Sequence, residues 1–367
     1  MAEIPAPTPA PLPARARARG LRRWFEPARI GQMSRGGSIV VYGLLVLWSA
    51  FVLFPFYWLA ITSLKLPVDV FDGPSFLPWV DFTPNLHAWA DLLDFSAKSP
   101  LAETLTPYRN SVIIAFCSTA LCVLIGAMAA YALARIEYKP RLGNILVFVV
   151  LMVVTAVAVG VYGVDLWIAA AVGGALFVLL ARSVGRYFKR SVGNADILFW
   201  MISQRILPPV VAVVPIYMMF QKVGMLDTHL AIILTYTVVN LPIVVWLMHD
   251  FFASIPIDLE ESAQLDGASR LMTFFEIVVP LARAGLAATT LLVLILSWNE
   301  YLVALFLSTT QAQTLPILVA GMNGGEKGIL WWTMAVVIII MIIPVIAMAL
   351  LLQRFISKGI LLGAVKG

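Results

Sequence analysis

Charge is scarce in this chain. Only 12% of its 367 residues are Asp, Glu, Lys or Arg, 61% are hydrophobic, and the mean hydropathy is +0.93. A soluble domain of this length carries about a quarter charged residues, so that class is excluded. Cysteine is nearly absent. Cys117 and Cys122 stand on different faces of one apolar run, which suggests neither a disulfide framework nor a metal pair. His87, His229 and His249 have no second ligand at metal spacing, so no metal site is expected. The sequence also lacks a G-x-x-x-x-G-K-[ST] loop, a nucleophile elbow, a histidine–carboxylate pair and a cofactor fingerprint. No catalytic residues are therefore assigned, and any ATP hydrolysis must belong to another chain. Bases and aromatics do not interleave, so nucleic acid is not an expected partner.

What the chain has is apolar sequence long enough to cross roughly 30 Å of hydrocarbon many times over. Eight windows qualify: 39–64, 111–133, 145–161, 166–181, 197–220, 230–251, 281–307 and 330–352. The expected fold is an all-α polytopic membrane protein. Residues 1–35 are rich in Pro, Ala and Arg and read as a disordered basic cytoplasmic tail; 36–367 form the transmembrane domain. Most of the 25 Lys and Arg residues fall on one side if both termini are cytoplasmic. The net charge of +5 then reflects orientation and contact with anionic lipid.

Between two apolar runs lies a polar segment, about 254–280, on the basic and therefore cytoplasmic side. Pro256 suits a first helical turn, Ser254 can cap it from outside, and Asp258, Glu260 and Glu261 favour the positive end of a helix dipole. A helix is expected to start near Pro256 and to break at Asp266-Gly267. Leu265, Ala268, Met272 and Phe275 recur at three-and-four spacing, predicting an apolar stripe toward the membrane or the other spans, with the carboxylates facing outward.

In this segment Glu261-x-Ala263, Gly267, Ile277 and Pro280 stand in the register of the "EAA" loop of ABC import permeases, which the sequence resembles over most of 39–367. Within that family it is similar to the carbohydrate branch, and there to the smaller permease subunit of maltose-type systems. Other stretches carrying the likeness are Arg109-Asn110-Ser111, Tyr131-Ala132-Leu133-Ala134-Arg135, Leu207-Pro208-Pro209, Gly224-Met225-Leu226-Asp227-Thr228 and Ser297-Trp298-Asn299-Glu300-Tyr301. A C-terminal tail, 353–367, is similar to one that family members extend toward the ATPase.

The resemblance implies a bacterial inner-membrane subunit of a binding-protein-dependent importer for a sugar or polyol. It would pair with a second permease subunit, two ATPase subunits and an extracytoplasmic solute-binding protein. ATP and Mg would be bound by the ATPase and no cofactor by this chain. ATPase coupling would fall to Glu260, Glu261, Ala263, Asp266, Gly267, Ala268, Ile277 and Pro280. The family pattern passes almost directly from the second span to the one bearing Leu207-Pro208-Pro209, so the stretch about 140–194 is extra. It is read as an inserted two-helix hairpin on a six-span core, packing against lipid or the partner subunit.

Ionisable groups within spans usually face protein or a water-filled path. Arg205 and Glu300, with Asn240 and Asn299, are therefore candidates for a substrate pathway, with pairing of Arg205 to Glu300 or to carbonyls freed by Pro208 and Pro209 as the structural alternative. Two other classes fit the composition. A secondary transporter would need a coupling carboxylate near the midplane, for which Glu300 is the candidate. A non-transporting membrane anchor needs no site at all.

Overall fold

The computed structural model describes residues 34–93, 100–183, 191–322 and 330–363. Most of the basic tail, 1–33, and the last residues, 364–367, lie outside them. Every named element among the described residues is helical. The principal helices are α1 (Arg35–Thr62), α2 (Pro100–Arg135), α3 (Leu142–Gly160), α4 (Leu166–Ser183), α5 (Asn194–Ser203), α6 (Pro209–Lys222), α7 (His229–Ala253), α8 (Asp258–Leu265), α9 (Arg270–Thr273), α10 (Arg283–Trp298), α11 (Leu302–Leu307), α12 (Leu315–Gly321) and α13 (Trp331–Gly363).

Six stretches are long and apolar enough to cross a membrane as continuous helices, in α1, α2, α3, α4, α7 and α13. Two more expected spans are broken. α5 with its 3₁₀ turn meets α6 at 91°, and the helical stretch Arg270–Leu281 meets α10 at 83°. The first break falls at Leu207-Pro208, where two consecutive prolines remove two backbone donors and push the preceding residues out of helical geometry. The window 281–307 is interrupted again at 299–301, so it is not one uniform helix. α2 begins at Pro100, well before the expected start, and α13 runs as helix through Gln353 to Gly363, where a tail was expected.

The described residues divide into two compact units, one ending at Asn85 and one beginning at Leu86. In the first, the segment after α1 folds back on its own helix. Phe76 packs on Trp58 with centroids 5.4 Å apart, and Lys65 is buried over Trp58 while donating to Ser75 O at 2.7 Å. Burial lowers the pKa of this ammonium, against the pull of Asp69 and Asp81.

In the second unit α2 and α7 run side by side. A Cβ on Gly126 of α2 would come within 2.6 Å of Val244 Cγ1, so glycine is what lets the two backbones approach this closely. Around that seam lie Cys122, Val245, Met248, Phe252, Phe274 and Val278, all buried. A second cluster, with Leu294, Trp298, Leu315 and Val336, ties α10 to α13. α3 and α4 form a hairpin whose two ends meet: Arg141 bridges Ser191, and Val192 N donates to Pro140 O at 3.0 Å. Asp165 caps α4 by accepting from Trp167 N and Ile168 N.

Candidate functional site

The polar loop between α7 and α10 is built from short pieces, each with its own stop signal. α8 starts at Asp258, two residues later than expected. Ser254 instead caps the C-terminus of α7, donating to Phe251 O. Asp258, Glu260 and Glu261 occupy the first turn of α8, where the helix dipole favours them. Its end follows the expected break: Gly267 takes φ +92°, its N–H donates to Gln264 O and Ala268 N–H to Ala263 O, a Schellman closure. Ser269 then caps α9 by accepting from Met272 N.

Glu260 does not face outward. Its residue is 2% exposed; Oε1 pairs with Arg135 Nε at 2.7 Å and Oε2 accepts from the Tyr131 hydroxyl at 2.7 Å. The same guanidinium donates to Ile255 O at 2.9 Å, so one arginine at the end of α2 holds both the start of the loop and its first helix. Tyr131 is itself fixed between Phe252 and Phe274. Removing one partner of such a buried pair typically costs about 3–5 kcal/mol, because the other charge is left uncompensated. Glu261 and Asp266 are exposed, Ala263 and Ala268 half-buried.

Of the two directions expected for the apolar stripe, packing on the other helices is not the one taken. Leu265 is 88% exposed, and Met272 and Phe275 are exposed too, while Thr273, Phe274 and Val278 face the core. The reason is a change of helical phase. The turn at 266–267 resets it once, and a π-helical stretch over Phe274–Val278 shifts it again. Ile277 lies in that stretch and Pro280 opens the short helix Val279–Leu281. Between this loop and the end of α2 is a cleft of about 520 Å³, with Arg135, Glu260, Glu261 and Arg270 on its walls.

A second polar site sits where the membrane helices are interrupted. Arg205, in the 3₁₀ turn before the α5/α6 bend, donates to Asn240 Oδ1 on α7, and Asn240 Nδ2 donates to Ser297 Oγ on α10 at 3.2 Å. Asn240 and Ser297 are buried, whereas Arg205 is exposed. Among the described residues no carboxylate lies within ion-pair distance of Arg205, so Asn240 is its direct partner and Glu300 acts only as a nearby counter-charge. The Glu300 carboxylate accepts from Val303 N, capping α11, and its carbonyl accepts from the Tyr236 hydroxyl. Asn299 Nδ2 donates to Ile295 O, closing α10. These side chains take up backbone groups freed by the break, which a hydrocarbon environment requires. Arg205 and Asn240 are thus brought together, Ser297 joins them, and Asn299 serves its own helix end.

On the opposite face from the Glu260 loop, a third constellation joins two signature stretches that carry no role in the sequence reading. Asp227, at φ +60°, accepts from the backbone N–H groups of Thr309, Thr310, Gln311 and Ala312 and from the Thr309 and Thr310 hydroxyls. Burial by itself would raise its pKa, but these hydrogen bonds hold the carboxyl well below the usual carboxylate range. Asn110 Nδ2 donates to Gln311 O and Gln313 O, His229 Nε2 bonds Asn110 Oδ1, and Leu315 N donates to Ser111 Oγ. The 309–315 loop is thereby clasped to α2 and α7. Asp227 could have been suspected from its place after Gly224, since aspartate tolerates the left-handed turn conformation.

Comparison with known proteins adds the family context. The pattern described as a binding-protein-dependent transport system inner membrane component matches residues 177–362. A trehalose/maltose transport system permease protein of Thermococcus litoralis is 29% identical over 325 residues, covering 88% of this chain and 94% of the relative. A melibiose/raffinose/stachyose import permease protein of Bacillus subtilis is 30% identical over 315 residues, covering 85% and 91%. Among solved structures, a bacterial ABC transporter involved in import of the acidic polysaccharide alginate superposes with a TM-score of 0.57 over 87% of this chain and 96% of that one, at 20% identity, a likeness of fold.

Proposed function

Because the chain belongs to the family of binding-protein-dependent transport system inner membrane components, we propose that it is the membrane-spanning subunit through which a separate ATPase drives import of a sugar or polyol. Transport of sugars is named for the relative at 29% identity and import of sugars for the one at 30%, which is what supports that substrate class. The partners on this reading are a second permease subunit, two ATPase subunits that bind ATP and Mg, and an extracytoplasmic solute-binding protein. Both termini are assigned to the cytoplasm, with the Glu260 loop on the same side, following the distribution of Lys and Arg.

The observation that carries the coupling role is the loop's construction: a Schellman-closed helix with an 88%-exposed Leu265 at its tip and exposed Glu261 and Asp266 beside it, locked from behind by Arg135. An exposed apolar residue flanked by acids on a rigid mount is a docking surface. Force applied there passes through the Arg135–Glu260 pair into α2, and through α10 to the break at 299–301. Ser297 lies in the last turn of α10 before that break and reaches Arg205 through Asn240, so movement of α10 would act on this polar cluster. On this assignment Glu261, Leu265, Asp266 and the turn at Gly267 meet the ATPase, and Glu260 positions them.

The test is Leu265→Arg. The side chain is free of intramolecular packing, so the protein should insert and fold normally while the ATPase fails to co-purify with it. Undiminished co-purification would remove the loop from the interface.

A further inference from the structure

Between the α3/α4 hairpin and α6 lies an apolar crevice of about 650 Å³. Its dimensions follow from the helices that line it. At one end, level with the hairpin turn, Lys222 Nζ donates to Val159 O at 2.8 Å and forms a polar mouth. At the other end Phe148 and Phe177 meet edge to face, centroids 5.6 Å apart, and mark its far limit. From Val159 to Phe148 the helix descends about 16 Å at roughly 1.5 Å per residue. That matches one leaflet's share, about 15 Å, of a hydrocarbon core roughly 30 Å thick. Apart from Lys222, the polar side chain on the wall is Thr155.

We propose that this crevice is a phospholipid site, taking one acyl chain with the lipid's anionic phosphate beside Lys222. The depth argues for a lipid tail. A transmembrane helix, about 10–12 Å across and running the full thickness, would extend well past the Phe148–Phe177 end, whereas one acyl chain matches the depth. The ammonium at the mouth lies where the headgroups of that leaflet lie, and it is exposed with three donors, so it can meet a phosphate without losing its hold on Val159. The tail would fill the space between the hairpin and α6, making the lipid part of what seats the hairpin.

Gly174 lines the crevice, and a Cβ built on it meets nothing within 4 Å, so a bulky side chain there has open space at the crevice wall to occupy without striking the protein. This provides the experiment. The complete transporter is purified in a delipidating detergent, titrated with 1-palmitoyl-2-oleoyl phosphatidylglycerol or the corresponding phosphatidylcholine, and bound lipid is counted by native mass spectrometry. Wild type should hold one phosphatidylglycerol more tightly than phosphatidylcholine. Gly174→Phe should weaken retention about tenfold or more, the span of one 1.4 kcal/mol step. Lys222→Gln should keep a lipid but lose the headgroup preference.

Equal retention by wild type and Gly174→Phe would overturn the site, and equal binding of the two lipids by wild type would overturn the role of Lys222. Should Gly174→Phe not assemble, wild type is photolabelled with phosphatidylglycerol carrying a diazirine in its tail. Adducts concentrated on 148–160 and 166–177 support the site; adducts elsewhere, or crosslinks from these positions to the second permease chain, refute it.

Discussion

Glu260 and Glu261 are adjacent and identical, yet one is buried against Arg135 and Tyr131 and the other is exposed. The buried one positions the loop and the exposed one meets the ATPase, and single substitutions separate the two roles. Glu260→Ala leaves Arg135 at 13% side-chain exposure without its carboxylate and should destabilise the loop's seat by about 3–5 kcal/mol, read as a lowered thermal midpoint and early proteolysis near Ile255. Glu261→Ala should leave stability within about 0.5 kcal/mol and lower ATPase association. Matching effects of the two would contradict the division.

Helical spacing made Asp258, Glu260 and Glu261 legible as a first-turn acidic cluster, and the cluster is there. What spacing could not reveal is the arginine 125 residues upstream in sequence that claims one of the three. Tyr131 and Arg135 were visible as a signature stretch; their target was not, because a pairing across two helices leaves no local pattern.

At the scale of elements, the Schellman turn at Gly267 was readable because a glycine after an acidic helix has few other uses. The breaks within the membrane were only half readable. Pro208-Pro209 forecast a disturbed helix, but a 91° bend depends on what the next helix packs against. That Leu265, Met272 and Phe275 turn away from the helical core was hidden for a physical reason: the turn at 266–267 resets the helical phase and a π-helical stretch after Thr273 shifts it again, neither of which a 3.6-residue count anticipates.

The clasp at Asp227 belongs to this scale as well, since it joins the α6/α7 turn to the 309–315 loop. Asp227→Asn removes the negative charge from a cluster of backbone donors. It should raise amide hydrogen exchange at Gln311 and Ala312 roughly tenfold, in line with about 1.5 kcal/mol for a bond to a charged acceptor.

Because this carboxyl titrates below its unfolded value near 3.9, its contribution is present above that value and is lost only as pH falls through the lower, folded one. Protection at the two amides, corrected for intrinsic rates, should therefore be unchanged between pH 7 and pH 5. A loss by pH 5 would contradict the hydrogen-bonded carboxylate.

For the whole molecule, the composition sufficed to predict an all-helical membrane protein, since so little charge over 367 residues permits little else. The hairpin of α3 and α4 starts and ends at the Arg141–Ser191 bridge, so its removal should leave the neighbouring helices where they are. Replacing residues 142–190 by a short Gly-Ser linker should yield a transporter that still assembles with its ATPase. Failure to insert would mean that the hairpin is part of the core.

Coupling of ATP hydrolysis on a partner to import of a sugar or polyol through this chain is read from the turnover of the assembled complex. The chain would be co-expressed with its neighbouring permease and ATPase, reconstituted in lipid, and assayed with the solute-binding protein loaded from a panel of sugars and polyols. One loaded solute should raise ATPase turnover, and Leu265→Arg should abolish the complex. An assembled complex that no sugar or polyol stimulates would contradict the substrate class, and absence of any ATPase in the purified assembly would contradict the coupling itself.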